Sequence, residues 1–119
     1  MRARQSACLA ILLLAGCAGH VEEAGPPTIP YACAEGKQAL VTYENGGYFP
    51  QARAHLVYDG RDLHLAAVPP TYGLRYVSDG ADNAPITIWS VRAEEGWVSQ
   101  LDPGQTEERE IAHCTRVRE

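Results

Sequence analysis

From residue 39 onward the apolar residues come in short runs, alternating with polar ones, and turn-forming residues interrupt them at regular intervals. Residues 39–43 (ALVTY) are β-branched and run into Asn45-Gly46-Gly47. Residues 53–58 (RAHLVY) and 61–66 (RDLHLA) flank Asp59-Gly60, and both turn positions tolerate positive φ, as a two-residue type I′ hairpin requires. In the second segment Leu63 and Leu65 fall on one face, Asp62 and His64 on the other. Residues 74–78 (LRYVS) lead into Asp79-Gly80, another turn signal, and 86–91 (ITIWSV), 97–101 (WVSQL) and 108–114 (EREIAHC) complete the series. No segment here has the 3.6-residue periodicity of an amphipathic helix. The pattern predicts an all-β domain, a small antiparallel barrel or sandwich.

The N-terminal region is organised differently. Arg2 and Arg4 precede an apolar run, 8–15 (CLAILLLA), that is far too short to span a bilayer as a permanent helix. Leu14-Ala15-Gly16-Cys17 follows and resembles the lipobox of bacterial lipoproteins. Residues 1–16 are thus expected to be an export signal, with Cys17 as the lipid-bearing first residue of the mature chain. Residues 18–30 (AGHVEEAGPPTIP) hold three prolines and two glycines without apolar periodicity, so 17–30 reads as a lipidated tether and 31–119 as the domain. Fully extended, the tether spans about 40 Å.

Four cysteines occur in all. Export removes Cys8 and lipidation uses Cys17, leaving Cys33 and Cys114 near the two ends of the domain. In an oxidising compartment such a pair is a disulfide by default. The rival, a two-cysteine metal site, lacks histidines at ligand spacing. Without residues 1–16 the chain carries 8 basic and 15 acidic residues, a net charge of −7. That balance disfavours nucleic acid and anionic surfaces and favours a cationic partner.

Enzyme signatures are absent: there is no G-x-S-x-G, H-E-x-x-H, phosphate-cradling glycine loop or C-x-x-C. His55, His64 and His113 fall on separate strands and read as polar-face residues, not ligands. Glu94-Glu95 and Glu107-Glu108 fall in loops, where paired acids are solvated. Trp89 and Trp97, in strongly apolar strands, read as core. No catalytic role, cofactor or metal is expected.

One longer pattern spans the domain. Tyr31-Ala32-Cys33, then Val57-Tyr58-Asp59-Gly60, Leu63-His64-Leu65, Gly73-Leu74-Arg75-Tyr76, Trp89-Ser90 and Cys114 follow in order. This order resembles the membrane-bound inhibitors of c-type lysozyme, a family with a Y-x-C start, an S-G-x-x-Y loop, a W-x-K-G loop and a closing cysteine. The resemblance implies an eight-stranded antiparallel barrel, lipid-anchored, with a disulfide joining its first and last strands. It also implies inhibition by insertion of the two loops into the acidic active-site cleft of lysozyme. Carried over residue by residue, the contacts fall on Tyr72, Gly73, Tyr76 and Arg92, with Trp89 supporting the second loop. Tyr72 stands at the family's serine, Val91 at its lysine and Arg92 at its glycine. A one-residue shift in a strand reverses the face on which a side chain lies, so Arg92 reaches the cleft only if a loop or bulge re-aims it. The expected partner is a c-type lysozyme, and the expected address is the periplasmic face of the outer membrane, since Ala18 lacks the aspartate of inner-membrane retention. The alternative is an envelope-binding or structural lipoprotein of the same fold that does not inhibit lysozyme.

The anchor is open to direct measurement. Intact mass of the membrane-extracted protein is expected to show a chain that starts at Cys17 and carries acyl chains, because stable anchoring takes more than one. A mature species that starts elsewhere or lacks acyl mass contradicts the assignment.

Overall fold

Asp59 and Gly60 adopt φ of 51° and 78°, the left-handed pair of a two-residue hairpin turn. The turn sets the register of its strands, pairing Tyr58 with Arg61, Leu56 with Leu63 and His55 with His64. In the computed structural model, which describes residues 25–47, 49–69 and 73–118, that hairpin belongs to a closed antiparallel barrel in which each strand pairs with its neighbour in sequence. The strands are β1 Thr28–Cys33, β2 Gln38–Glu44, β3 Arg53–Tyr58, β4 Arg61–Val68, β5 Leu74–Val77, β6 Ile86–Arg92, β7 Glu95–Leu101 and β8 Arg109–Arg116. The eight-stranded antiparallel barrel expected from the chain is therefore the fold. The segment 1–24, which includes Cys17, lies outside the described residues.

β1 begins at Thr28, three residues before the expected domain start, and runs through proline-rich sequence. Pro30 is tolerated because of where it sits. Its carbonyl accepts from Val117 N at 3.0 Å, so its backbone polar groups face the place where β8 has already ended, since the β1–β8 ladder starts only at Tyr31 and Arg116. No ladder N–H is needed there. Two turns also differ from expectation. Asp79-Gly80 does not make a tight hairpin: β5 and β6 are joined through a 3₁₀ turn over Ala81–Asn83, with Asp82 and Asn83 at positive φ. β6 and β7 are joined by only two residues, Ala93 and Glu94, and Ala93 takes the left-handed conformation at φ 55° without help from glycine or asparagine.

Along β2–β5 the interior follows from alternation. Ala39 and Val41 of β2, Ala54, Leu56 and Tyr58 of β3, Leu65 of β4 and Tyr76 of β5 all point inward and are buried. Asp62 and His64 alternate outward, as read from the sequence. A small barrel has to be filled by side chains, and here Trp89 is the largest filler, with 0 % of its surface exposed. The small residues opposite it make room. A Cβ on Gly96 would lie 2.3 Å from Trp89 Cη2, so only glycine fits at that point of β7. Trp97, expected in the core, stands instead half-exposed on the outer wall, stacked on His113 with centroids 5.2 Å apart. It follows Gly96, which faces inward, and alternation turns it outward.

Cys33 and Cys114 are register partners on β1 and β8 and form a disulfide across the seam where the barrel closes, linking residues 81 apart in sequence. Closing so long a loop restricts the unfolded chain by about 4–5 kcal/mol in the chain-entropy model, an upper figure. Denaturant unfolding of a Cys33→Ala/Cys114→Ala variant is expected to show a loss approaching this value. A loss under about 1 kcal/mol would mean that the strands hold the seam without the covalent link.

Candidate functional site

An even number of strands in a simple meander brings particular segments to one rim of the barrel. The start of β1, the ends of β2, β4, β6 and β8 and the starts of β3, β5 and β7 all lie there. Inward-pointing residues near this rim surround a cavity of about 380 Å³, lined by Ile29, Tyr31, Tyr43, Leu74, Tyr76 and Val91, with Arg116 at its lip. The volume falls within the range of ordinary ligand pockets.

The floor is aromatic. Tyr31 meets Trp89 edge-to-face at 4.9 Å, and Tyr43 lies 5.4 Å from Tyr76. Trp89 Nε1–H donates to the Tyr43 hydroxyl at 2.9 Å, so the one polar group of the buried indole is satisfied. Burial, reinforced by Tyr31, holds the Tyr43 phenol far above the ordinary tyrosine range despite the opposing hydrogen bond from Trp89. The Tyr43 phenol is therefore neutral at every physiological pH.

The residues expected to form a contact surface divide into four groups. Tyr72 lies outside the described residues. Gly73 stands at the rim at φ 102°, and a Cβ there would be 2.3 Å from the Val91 carbonyl oxygen and 3.2 Å from Arg92 Cβ. The start of β5 and the end of β6 are thus pressed together, and only glycine permits it. Tyr76 and Trp89 are interior, 1 % and 0 % exposed. They form and support the cavity floor and offer no surface on which a protein-sized partner can press. Arg92 lies on the outer wall, its guanidinium 6.0 Å from the centre of the Trp97 ring. Strand alternation sends it there, and no bulge interrupts the β6–β7 pairing at Arg92 and Glu95 to re-aim it. Val91 faces the cavity.

A different cation reaches the mouth. Ala112 and Cys114 point inward along β8, and Arg116, next in the same alternation, emerges at the cavity lip. Its backbone N–H donates to the Glu94 carbonyl at 2.8 Å, which ties the end of β8 to the β6–β7 turn. None of the ion pairs among the described residues engages Arg116 or Arg92, whereas Arg75 is held bidentate by Glu108 at 2.5 and 3.4 Å. The period-two pattern carried past Cys114 was the signal for Arg116, and the same pattern carried past Val41 was the signal for Tyr43. No protein-family model, curated protein or solved structure matches the chain.

The Tyr43–Trp89 pair can be tested through stability. Tyr43→Phe removes the acceptor and leaves a buried indole N–H unpaired, at an expected cost of about 1–3 kcal/mol in urea unfolding. A phenol with a raised native pKa contributes fully below the unfolded tyrosine value and loses its contribution as pH rises beyond it. Wild-type stability is therefore expected to decline above about pH 10, and to decline less steeply in Tyr43→Phe. Equal slopes would show that Tyr43 ionises as freely in the folded protein as in the unfolded one.

Proposed function

We propose that the chain is an envelope lipoprotein that inhibits c-type lysozyme by docking the mouth rim of its barrel against the enzyme's acidic cleft. The observation that carries this reading is the seat of Gly73 against Val91 and Arg92. The two segments that the family resemblance assigns to inhibition lie side by side at one rim, not on opposite walls. The barrel closure and the Cys33–Cys114 seam support the same reading.

In this proposal the cationic role passes from the family's lysine position to Arg116, whose guanidinium has no carboxylate partner among the described residues. A guanidinium placed in a partly desolvated cleft makes charge-assisted, often bidentate hydrogen bonds with carboxylates. Arg92, over Trp97, contributes at the periphery. The excess of acids over the rest of the molecule steers a basic enzyme toward the barrel, and salt weakens that steering.

A second reading, an envelope-binding lipoprotein of the same fold without lysozyme inhibition, draws on the cavity itself. With Val91 in place of a lysine, the mouth is an apolar and aromatic hollow with three tyrosine rings, suited to a small amphipathic ligand.

Titration of the purified protein against a c-type lysozyme in a cell-wall clearing assay separates the two. Inhibition that weakens with salt is expected. Arg116→Ala is expected to weaken it tenfold to a hundredfold, as the loss of a charge-assisted bond worth about 1.5–3 kcal/mol implies, and Arg92→Ala is expected to weaken it less. An unchanged clearing rate at high micromolar protein would remove the inhibitor reading and leave the cavity-binding one. Inhibition undiminished in both variants would leave the activity standing and move the site elsewhere.

A further inference from the structure

On the outer wall of the β3–β4 hairpin, outside the cavity, two imidazoles and one carboxylate converge. We propose that His55, Asp62 and His64 form a binding site for a divalent transition-metal ion, with zinc as the ion best suited to it. His55 and His64 are direct cross-strand partners, and their rings stack with centroids 4.6 Å apart and planes within 3°. Asp62, two residues from His64 on the same face of β4, points its Oδ1 at both. That oxygen is hydrogen-bonded to His55 Nε2 and lies 3.9 Å from His64 Nε2. One ligand atom from each of the three residues falls within 4.8 Å of the others.

The donor set selects the metal. Two imidazole nitrogens with one carboxylate suit zinc, which binds nitrogen at about 2.0–2.1 Å and commonly keeps a fourth position for water. Calcium and magnesium prefer sets made wholly of oxygen. Ligand atoms around a tetrahedral zinc are about 3.3 Å apart, by the geometry of such bonds. His64, whose side chain is 81 % exposed, is free to rotate the remaining distance inward.

Charge around the site favours a cation. The two arginines at the ends of this hairpin's strands are directed elsewhere. The Arg53 guanidinium donates to the carbonyls of Pro50, Gln51 and Ala52, and Arg61 donates to Thr87 Oγ1 at 3.2 Å. Among the described residues, Asp62 forms ion-pair contacts only with the two histidines. The strand register places His64 opposite His55, and a plain His–Asp hydrogen bond accounts for His55 and Asp62 but leaves the His64 Nε2, turned to the same oxygen, without a role. A shared ion accounts for all three.

The test uses the full chain, stripped with a chelator and titrated with zinc chloride by calorimetry. Histidine ring C–H resonances are followed in parallel by NMR. One saturable equivalent is expected, with shifts at His55 and His64 and none at His113, whose Nε2 pairs with Glu95 at 3.1 Å on another wall. His64→Ala, a change at an exposed position, and Asp62→Asn are each expected to weaken binding at least about tenfold, while His113→Ala leaves it unchanged. Absence of saturable binding would overturn the proposal. So would undiminished affinity in His64→Ala, or loss of binding in His113→Ala instead.

Discussion

An eight-stranded barrel of this size has room for one indole, and the neighbouring walls accommodate the one that occupies it. Trp89 is fully buried, so β7 carries glycine at residue 96, where any side chain would overlap the ring. β2 brings the Tyr43 hydroxyl within 2.9 Å of the indole nitrogen, and β1 sets the edge of Tyr31 against it at 4.9 Å. Small residues at 39, 54 and 112 fill what remains. The floor so built ends below the rim, which is why the inward-pointing residues nearest the rim on β5, β6 and β8 border a cavity instead of packing against each other.

Much of this architecture was legible in the chain because it depends on local chemistry. Asp59-Gly60 specified a turn type, and Leu65 and His64 separated by alternation. The pairing of the last two cysteines followed from their parity once Cys8 and Cys17 are set aside. The misreadings came from places where local signals conflict with tertiary demands. Pro30 argued against a strand, yet it sits where the ladder has already ended. Ala93 supplied no turn signal, because the two flanking strands force a left-handed residue that alanine does not favour. Trp97 looked like core by composition, but its parity relative to Gly96 put it outside.

The histidines show a different kind of gap. Read one by one, they lie on separate strands and look unrelated. A two-residue turn, however, fixes every pair along its hairpin, and His55 and His64 are equally far from Asp59-Gly60. Their meeting was therefore contained in the sequence once the turn was recognised. Arg116 was hidden for a similar reason: the apolar pattern ends at Cys114, two residues before the strand's alternation delivers a cation to the mouth. In both cases the residue types were visible and the register that gives them meaning was nonlocal.

The seam has a consequence for how the chain could be rewired. β1 and β8 are neighbours, and the Val117 amide donates to the Pro30 carbonyl at 3.0 Å, so the two strand ends emerge side by side at the mouth rim. A short peptide joining them would close the domain into a ring, and a new opening cut at Asp59-Gly60 on the opposite rim would give a circular permutant with the same neighbours. A bulky group attached directly at Thr28 or Arg116 stands at the mouth, whereas one attached at the new opening stands at the opposite rim.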